Sequence, residues 1–135
     1  MIGKICLFAM PYFDARSQRN SFKARPCLVI FGPKNNDYTV LPLSTISRPE
    51  NHDPYYDIEL IPSKFPKLNL PQICYVRTHK QTVAHQGALY KELADMKSEY
   101  PSQYADIIKQ VNKFNQEIQK ENIKCTTNIK PETVK

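Results

Sequence analysis

No two of the four cysteines form a CxxC pair. Cys6, Cys27, Cys74 and Cys125 are scattered along the 135 residues. A zinc site needs closer ligand pairs than these, so no metal ligand set is expected. Three of the four fall inside apolar, strand-like runs, which reads as buried, reduced thiols of a cytosolic protein. No stretch approaches the ~18 apolar residues of a membrane span. The first ten residues hold a short apolar run. They lack a basic leader with a long apolar segment and a small-residue cleavage site. A cytoplasmic chain with no membrane contact is therefore expected. No internal repeat is present.

What is present is a basic, moderately apolar chain. Hydrophobic residues make up 41% of it, enough for one globular domain with a real core. The formal net charge is +6 and the pI about 9.1, which favours an anionic partner. Residues 1–98 hold 13 Lys/Arg against 8 Asp/Glu, and residues 99–135 hold 6 against 5. The positive excess thus sits in the part that reads as mainly β. A plain solvated basic surface fits the same numbers.

Residues 3–10 alternate loosely and read as a first strand ending before Pro11. Residues 11–24 read as a polar loop with Arg16, Arg19 and Lys23 and no acid after Asp14. Pro26 pushes Arg25 towards extended geometry, at the entrance of a strand. Cys27-Leu28-Val29-Ile30-Phe31 is apolar on both faces, the mark of a central strand. A turn over 32–37 and a third strand over 38–43 follow, with Pro42 implying an edge or bulge near its end. Residues 47–54 read as a second polar loop. Tyr56, Ile58 and Leu60 then alternate with Asp57 and Glu59, a half-buried strand with the acids outward. Residues 62–71 read as a loop, 72–83 as one extended segment and 88–98 as a short helix. From Ser102, the residues Tyr104, Ile107, Ile108, Val111, Phe114 and Ile118 share one helical face. The expected organisation is a domain over 1–121 and a polar, mobile tail over 122–135. A mainly β fold with α follows: a small curled sheet or partly open barrel with a C-terminal amphipathic helix.

Three blocks resemble one family. Lys23-Ala24-Arg25-Pro26 before an apolar strand resembles the second-strand signature of the MazF/PemK/Kid toxins of toxin–antitoxin systems. Leu41-Pro42-Leu43-Ser44-Thr45 resembles their third-strand end, where a proline and a small apolar residue precede the catalytic hydroxyl. Leu68-Asn69-Leu70-Pro71 followed by Tyr75 to Val83, with a Gln81-Thr82-Val83 ending, resembles their third block. The resemblance implies an SH3-like barrel, a homodimer and a metal-independent endoribonuclease that needs no cofactor. Such an enzyme cuts single-stranded RNA and leaves a 2′,3′-cyclic phosphate and a 5′-hydroxyl. Its partners would be the RNA substrate and a cognate antitoxin, either an acidic protein segment or an RNA. The family's catalytic hydroxyl is usually Thr, and the matching position here is Ser44, with Thr45 beside it. Serine there is similar to the ToxN branch. The first strand reads Phe8 to Asp14 and carries only the Pro and Asp of the family's usual pattern.

On that chemistry Arg25 stabilises the charge of the pentacoordinate phosphorus, because its planar fork stays protonated and can bind two phosphate oxygens. Ser44, or Thr45 if the register is off by one, donates to a phosphate or leaving oxygen. Read without the resemblance, Arg25 is a surface ion-pairing residue and Ser44 a hydroxyl satisfying a turn. Arg16, Arg19 and Lys23 form a track for RNA phosphates. Phe22, Tyr12 and Phe13 either stack bases or pack the loop onto the barrel. Arg77 and Gln81 contact RNA from the groove rim. His79 is a weaker catalytic candidate, able to move protons near neutral pH; His52 and His85 read as exposed. Two other readings stay open: a non-catalytic RNA-binding barrel, and a gyrase-inhibiting barrel of the CcdB type.

Overall fold

The computed structural model describes residues 1–126. The remaining residues of the expected tail, 127–135, lie outside the described residues. Seven antiparallel strands form the body: β1 Lys4–Asp14, β2 Arg19–Lys34, β3 Asp37–Ser44, β4 Asp57–Leu60, β5 Cys74–Arg77, β6 Thr82–His85 and β7 Leu89–Asp95. Two helices follow, α1 Met96–Glu99 and α2 Pro101–Thr126. The strand order is β4-β5-β3-β2-β1-β7, and β6 pairs with the first half of β3. The chain is thus mainly β, a curled antiparallel sheet with a C-terminal helix.

Alternation along the central strands feeds two apolar clusters. Ile5, Leu28, Leu41 and Leu43 point to one side and meet Leu60, Leu68 and Val76, with Met96, Ile107 and Val111 from the helices. Cys6, Phe8, Cys27, Val29 and Val40 point to the other and meet Tyr38 and Ala84. Cys27, Leu28 and Val29 are all fully buried, as a strand apolar on both faces requires. Each large side chain buried this way contributes roughly 1.5–3 kcal/mol. Phe31, at the end of the same run, is exposed.

Several segments differ from the sequence expectation. The polar 11–24 stretch is not a loop. It forms both arms of a hairpin, paired from Ile5↔Leu28 to Asp14↔Arg19. Its side chains are mostly solvent-exposed on both faces, so no period-2 apolar signal marks it, while backbone pairing needs none. The hairpin turn is set by Asp14, whose Oδ1 accepts from the Arg16 N–H at 2.9 Å. The turn expected over 32–37 tightens to Asn35-Asn36, both with positive φ, between the paired Lys34 and Asp37. The 88–98 stretch is mostly strand: β7 pairs with the outer edge of β1 through two register shifts. Pairing at that edge outweighs the helix propensity of Lys-Glu-Leu-Ala. Only Met96–Glu99 is helical, capped by Asp95 Oδ1 accepting from the Ser98 N–H. The 72–83 segment is two strands, β5 and β6, separated by a turn at 78–81. Finally, α2 runs past residue 122 to Thr126, so its C-terminal end crosses the polarity boundary at 121/122.

Candidate active-site groove

The site begins where β2 and β3 part. Their pairing runs Val29↔Val40, Leu28↔Leu41, Cys27↔Pro42. It stops at two prolines, Pro26 and Pro42, neither of which has an N–H to donate. Beyond them β2 continues beside β1, while β3 pairs with β5 through Leu43↔Val76 and Ser44↔Tyr75. Continuing the β2–β3 register by two residues sets Arg25 opposite Ser44. Continuing the β3–β5 register back by one sets Pro42 opposite Arg77. All four residues line one cavity of about 310 Å³.

Lys23 and Lys80 complete its charge, and Met10, Tyr12 and Thr82 complete its wall. Lys23, Arg25, Arg77 and Lys80 are four cations, and the lining holds no carboxylate. The Asp57 carboxylate that pairs with Arg77 offsets one of them, and an anion in the cavity would offset the rest. Ser44 and Tyr12 add hydroxyls that can donate to that anion, while the Thr82 hydroxyl already donates to the Lys80 carbonyl at 3.0 Å.

Two further cavities adjoin. One, of about 250 Å³, shares Lys23 and Arg25 and is walled by Leu43, Thr45, Leu70 and Cys74. Ser44 and Thr45 therefore face different cavities, as side chains successive along an extended chain must. The other, of about 450 Å³, shares Arg77 and Lys80 and is lined by Asn51, His52, Asp53 and His79, among others. The three cavities share their cations, and in the last one Glu50 and Asp53 offset Arg77 and Lys80.

Arg77 is the best-held of the cations. Its Nε donates to Asp57 Oδ1 at 3.1 Å and its Nη2 to the Asn51 carbonyl at 2.7 Å. The Asp57 carboxylate is fully buried, and its Oδ2 accepts from the Asp53 N–H at 2.8 Å. Asp53 Oδ1 in turn accepts from the Tyr55 and Tyr56 N–H groups. The acid expected to face outward on β4 is thus buried, because the strand directly beside it supplies a guanidinium at Asp57↔Arg77.

His79 sits apart from the Arg25–Ser44 cavity. Its Nδ1 lies 3.7 Å from Asp57 Oδ1, too far for a hydrogen bond. Among the described residues it is the buried side-chain nitrogen without a hydrogen-bond partner. The ring packs near Tyr56 and Phe114. Burial holds its pKa below the ordinary histidine value, against the pull of Asp57. Gln81 also lies outside the cavity, its amide donating to Asn115 Oδ1 of α2 at 2.8 Å. Arg16, Arg19, Phe13 and Phe22 are exposed on the distal hairpin. The pairing Asp14↔Arg19 and Tyr12↔Ser21 puts Arg19 on the same hairpin face as Tyr12 and Lys23. Phe22 and Phe13 fall on the opposite face.

The site residues that the sequence did not single out are Lys80, Thr82 and Asp57. Lys80 reaches the cavity through the turn after β5, where its N–H donates to the Arg77 carbonyl. Among the described residues no group of three or more His, Cys, Asp and Glu side chains is arranged to hold a metal ion. No helix there is long and apolar enough to cross a membrane. No protein-family model matches the chain, and no curated protein matches it either.

Proposed function

We propose that this chain is the toxin of a toxin–antitoxin system: a metal-independent endoribonuclease of the MazF/PemK/Kid type, built on an SH3-like barrel. One observation carries the reading. Arg25 and Ser44 line one cavity where the strands part, and its lining holds three further cations and no carboxylate. RNA supplies its own nucleophile, the 2′-hydroxyl, which DNA lacks. That oxygen attacks the adjacent phosphorus and gives up its proton to solvent water. The new P–O2′ bond forms as the P–O5′ bond breaks, and the leaving oxygen takes a proton from solvent water. The products are a 2′,3′-cyclic phosphate and a 5′-hydroxyl. Arg25 stabilises the extra negative charge that builds on the phosphoryl oxygens. Ser44 donates a hydrogen bond to one of them. Lys23, Arg77 and Lys80 hold the flanking backbone in line. The cavity with the four cations is also where a cognate antitoxin, an acidic protein segment or an RNA, would bind and block access. A homodimer belongs to the same proposal.

The test is incubation of the purified protein with a panel of single-stranded RNAs in EDTA, beside Arg25→Ala. Discrete cuts that the variant fails to make support the reading. Folded protein that leaves every RNA intact overturns it, and RNA affinity that survives without cutting identifies the non-catalytic RNA-binding barrel.

A further inference from the structure

Arg77 walls two cavities at once, the one holding Arg25 and Ser44 and the one holding Asn51, His52 and His79. A long side chain in such a place has many rotamers to lose, and free it would sample both. Here it has no such freedom. Two of its nitrogens are committed, Nε to Asp57 and Nη2 to the Asn51 carbonyl. That fork leaves the rest of the guanidinium for an anion. Asp57 is itself locked, buried on β4 beside Arg77 and bonded to the Asp53 N–H. A fully buried carboxylate with a single close cation is costly to keep merely for stability. Its placement makes sense as the fixed end of a clamp.

We propose that Asp57 is a positioning residue: it holds the Arg77 guanidinium as the wall shared by the two cavities, where Arg77 binds the RNA phosphate next to the scissile one. This rests on the ribonuclease reading above. Arg77 supplies the contact with RNA, and Asp57 acts only through it. Charge alone at position 77 is therefore insufficient. A lysine there keeps the charge but lacks the planar fork that reaches Asp57 and Asn51 together.

The experiment compares wild type, Arg77→Lys, Arg77→Ala, Asp57→Asn and the Arg77→Ala/Asp57→Asn double variant. Each is tested for binding and cutting of one cleavable single-stranded RNA over a range of salt. Arg77→Lys is included because it leaves the buried carboxylate in place, so the test survives if Asp57→Asn fails to fold. Arg77→Lys and Arg77→Ala should both bind roughly tenfold more weakly, the size of one charge-assisted contact. Each should also lower the slope of log K against log salt by about 0.7, one single-strand phosphate contact. Folded Asp57→Asn should show the same slope change, and the double variant should be no worse than Arg77→Ala. A merely structural role for Asp57 would lower the melting temperature and leave the slope of the folded protein unchanged. If Arg77→Lys matches wild type while wild type cuts RNA, the positioning role is overturned and the ribonuclease reading stands. If wild type neither binds nor cuts RNA, both are overturned.

Discussion

Ser44 and Thr45 are adjacent in the chain, yet they look into different cavities. Arg25 lines both, but of the two hydroxyls Ser44 is the one that shares a cavity with Arg77 and Lys80 as well, and the register Cys27↔Pro42 continued by two residues sets it opposite Arg25. Ser44→Ala should therefore slow RNA cleavage by roughly 10²–10³-fold, as losing one donor to developing charge does elsewhere. Thr45→Ala should stay within about twofold, as an exposed substitution outside the contact does. Single-turnover rates on one RNA check both. His79 makes a different prediction. Burial depresses its pKa in the folded chain below the ordinary value of 6.5. The unfolded chain then takes up the proton first as the pH falls. Stability present above pH 6.5 should thus be lost progressively towards the lower folded pKa. Urea melts at pH 7.5 and 5.5 should show that loss, and His79→Phe should lose less between the two. The cysteines behave as buried thiols should. Cys6, Cys27 and Cys74 are buried and Cys125 is exposed. Burial pushes the Cys27 pKa up to about 12 and that of Cys74 up to about 11. Ellman titration of the native protein should count one fast thiol, and four after denaturation.

At the scale of elements, the central strands were legible because both of their faces are apolar, as in Cys27-Leu28-Val29. The α2 stripe was legible because Tyr104, Ile107 and Val111 recur at helical spacing and are the residues it buries. The distal hairpin was not legible, since Tyr12, Phe13, Phe22 and Lys23 are all exposed and no burial pattern betrays a ladder. Nor was β7, whose Lys-Glu-Leu-Ala composition favours a helix until the edge of β1 is offered to it. Asp57 departs from the alternation for a related reason. Alternation predicts which way a side chain points, but only the neighbouring strand tells whether a guanidinium waits there. The helix also serves the site. Gln110 donates to the Tyr55 carbonyl, Tyr56 Oη donates to Glu117, and Asn115 accepts from Gln81. These bonds brace the turn after β5 and the loop before β4, whose Asn51 carbonyl accepts from Arg77. Ile107→Ala, at a fully buried position in the α2 core, should cost about 2–5 kcal/mol of stability. Chemical denaturation checks this, and the cleavage rate per folded molecule should stay unchanged because Ile107 makes no part of the groove.

For the molecule as a whole, the charge excess read from composition collects where it can act. Four cations line one cavity, and the two adjoining cavities share them in pairs, Lys23 with Arg25 and Arg77 with Lys80. Affinity for single-stranded RNA should fall steeply with salt, with a slope near −3 if four phosphates are contacted. Neutralising Lys23 should flatten it more than neutralising Arg16, which lies at the hairpin tip. The cavity shared by Arg25 and Ser44 supports the proposal that RNA is cut by its own 2′-hydroxyl. The most direct test uses an RNA that the protein cuts in EDTA, remade with a single 2′-O-methyl group on the nucleotide before the cut. This one group should abolish cutting there, and the unmodified RNA should yield 2′,3′-cyclic phosphate and 5′-hydroxyl ends. Cutting that persists past the methyl group, or ends carrying a 5′-phosphate, would contradict it.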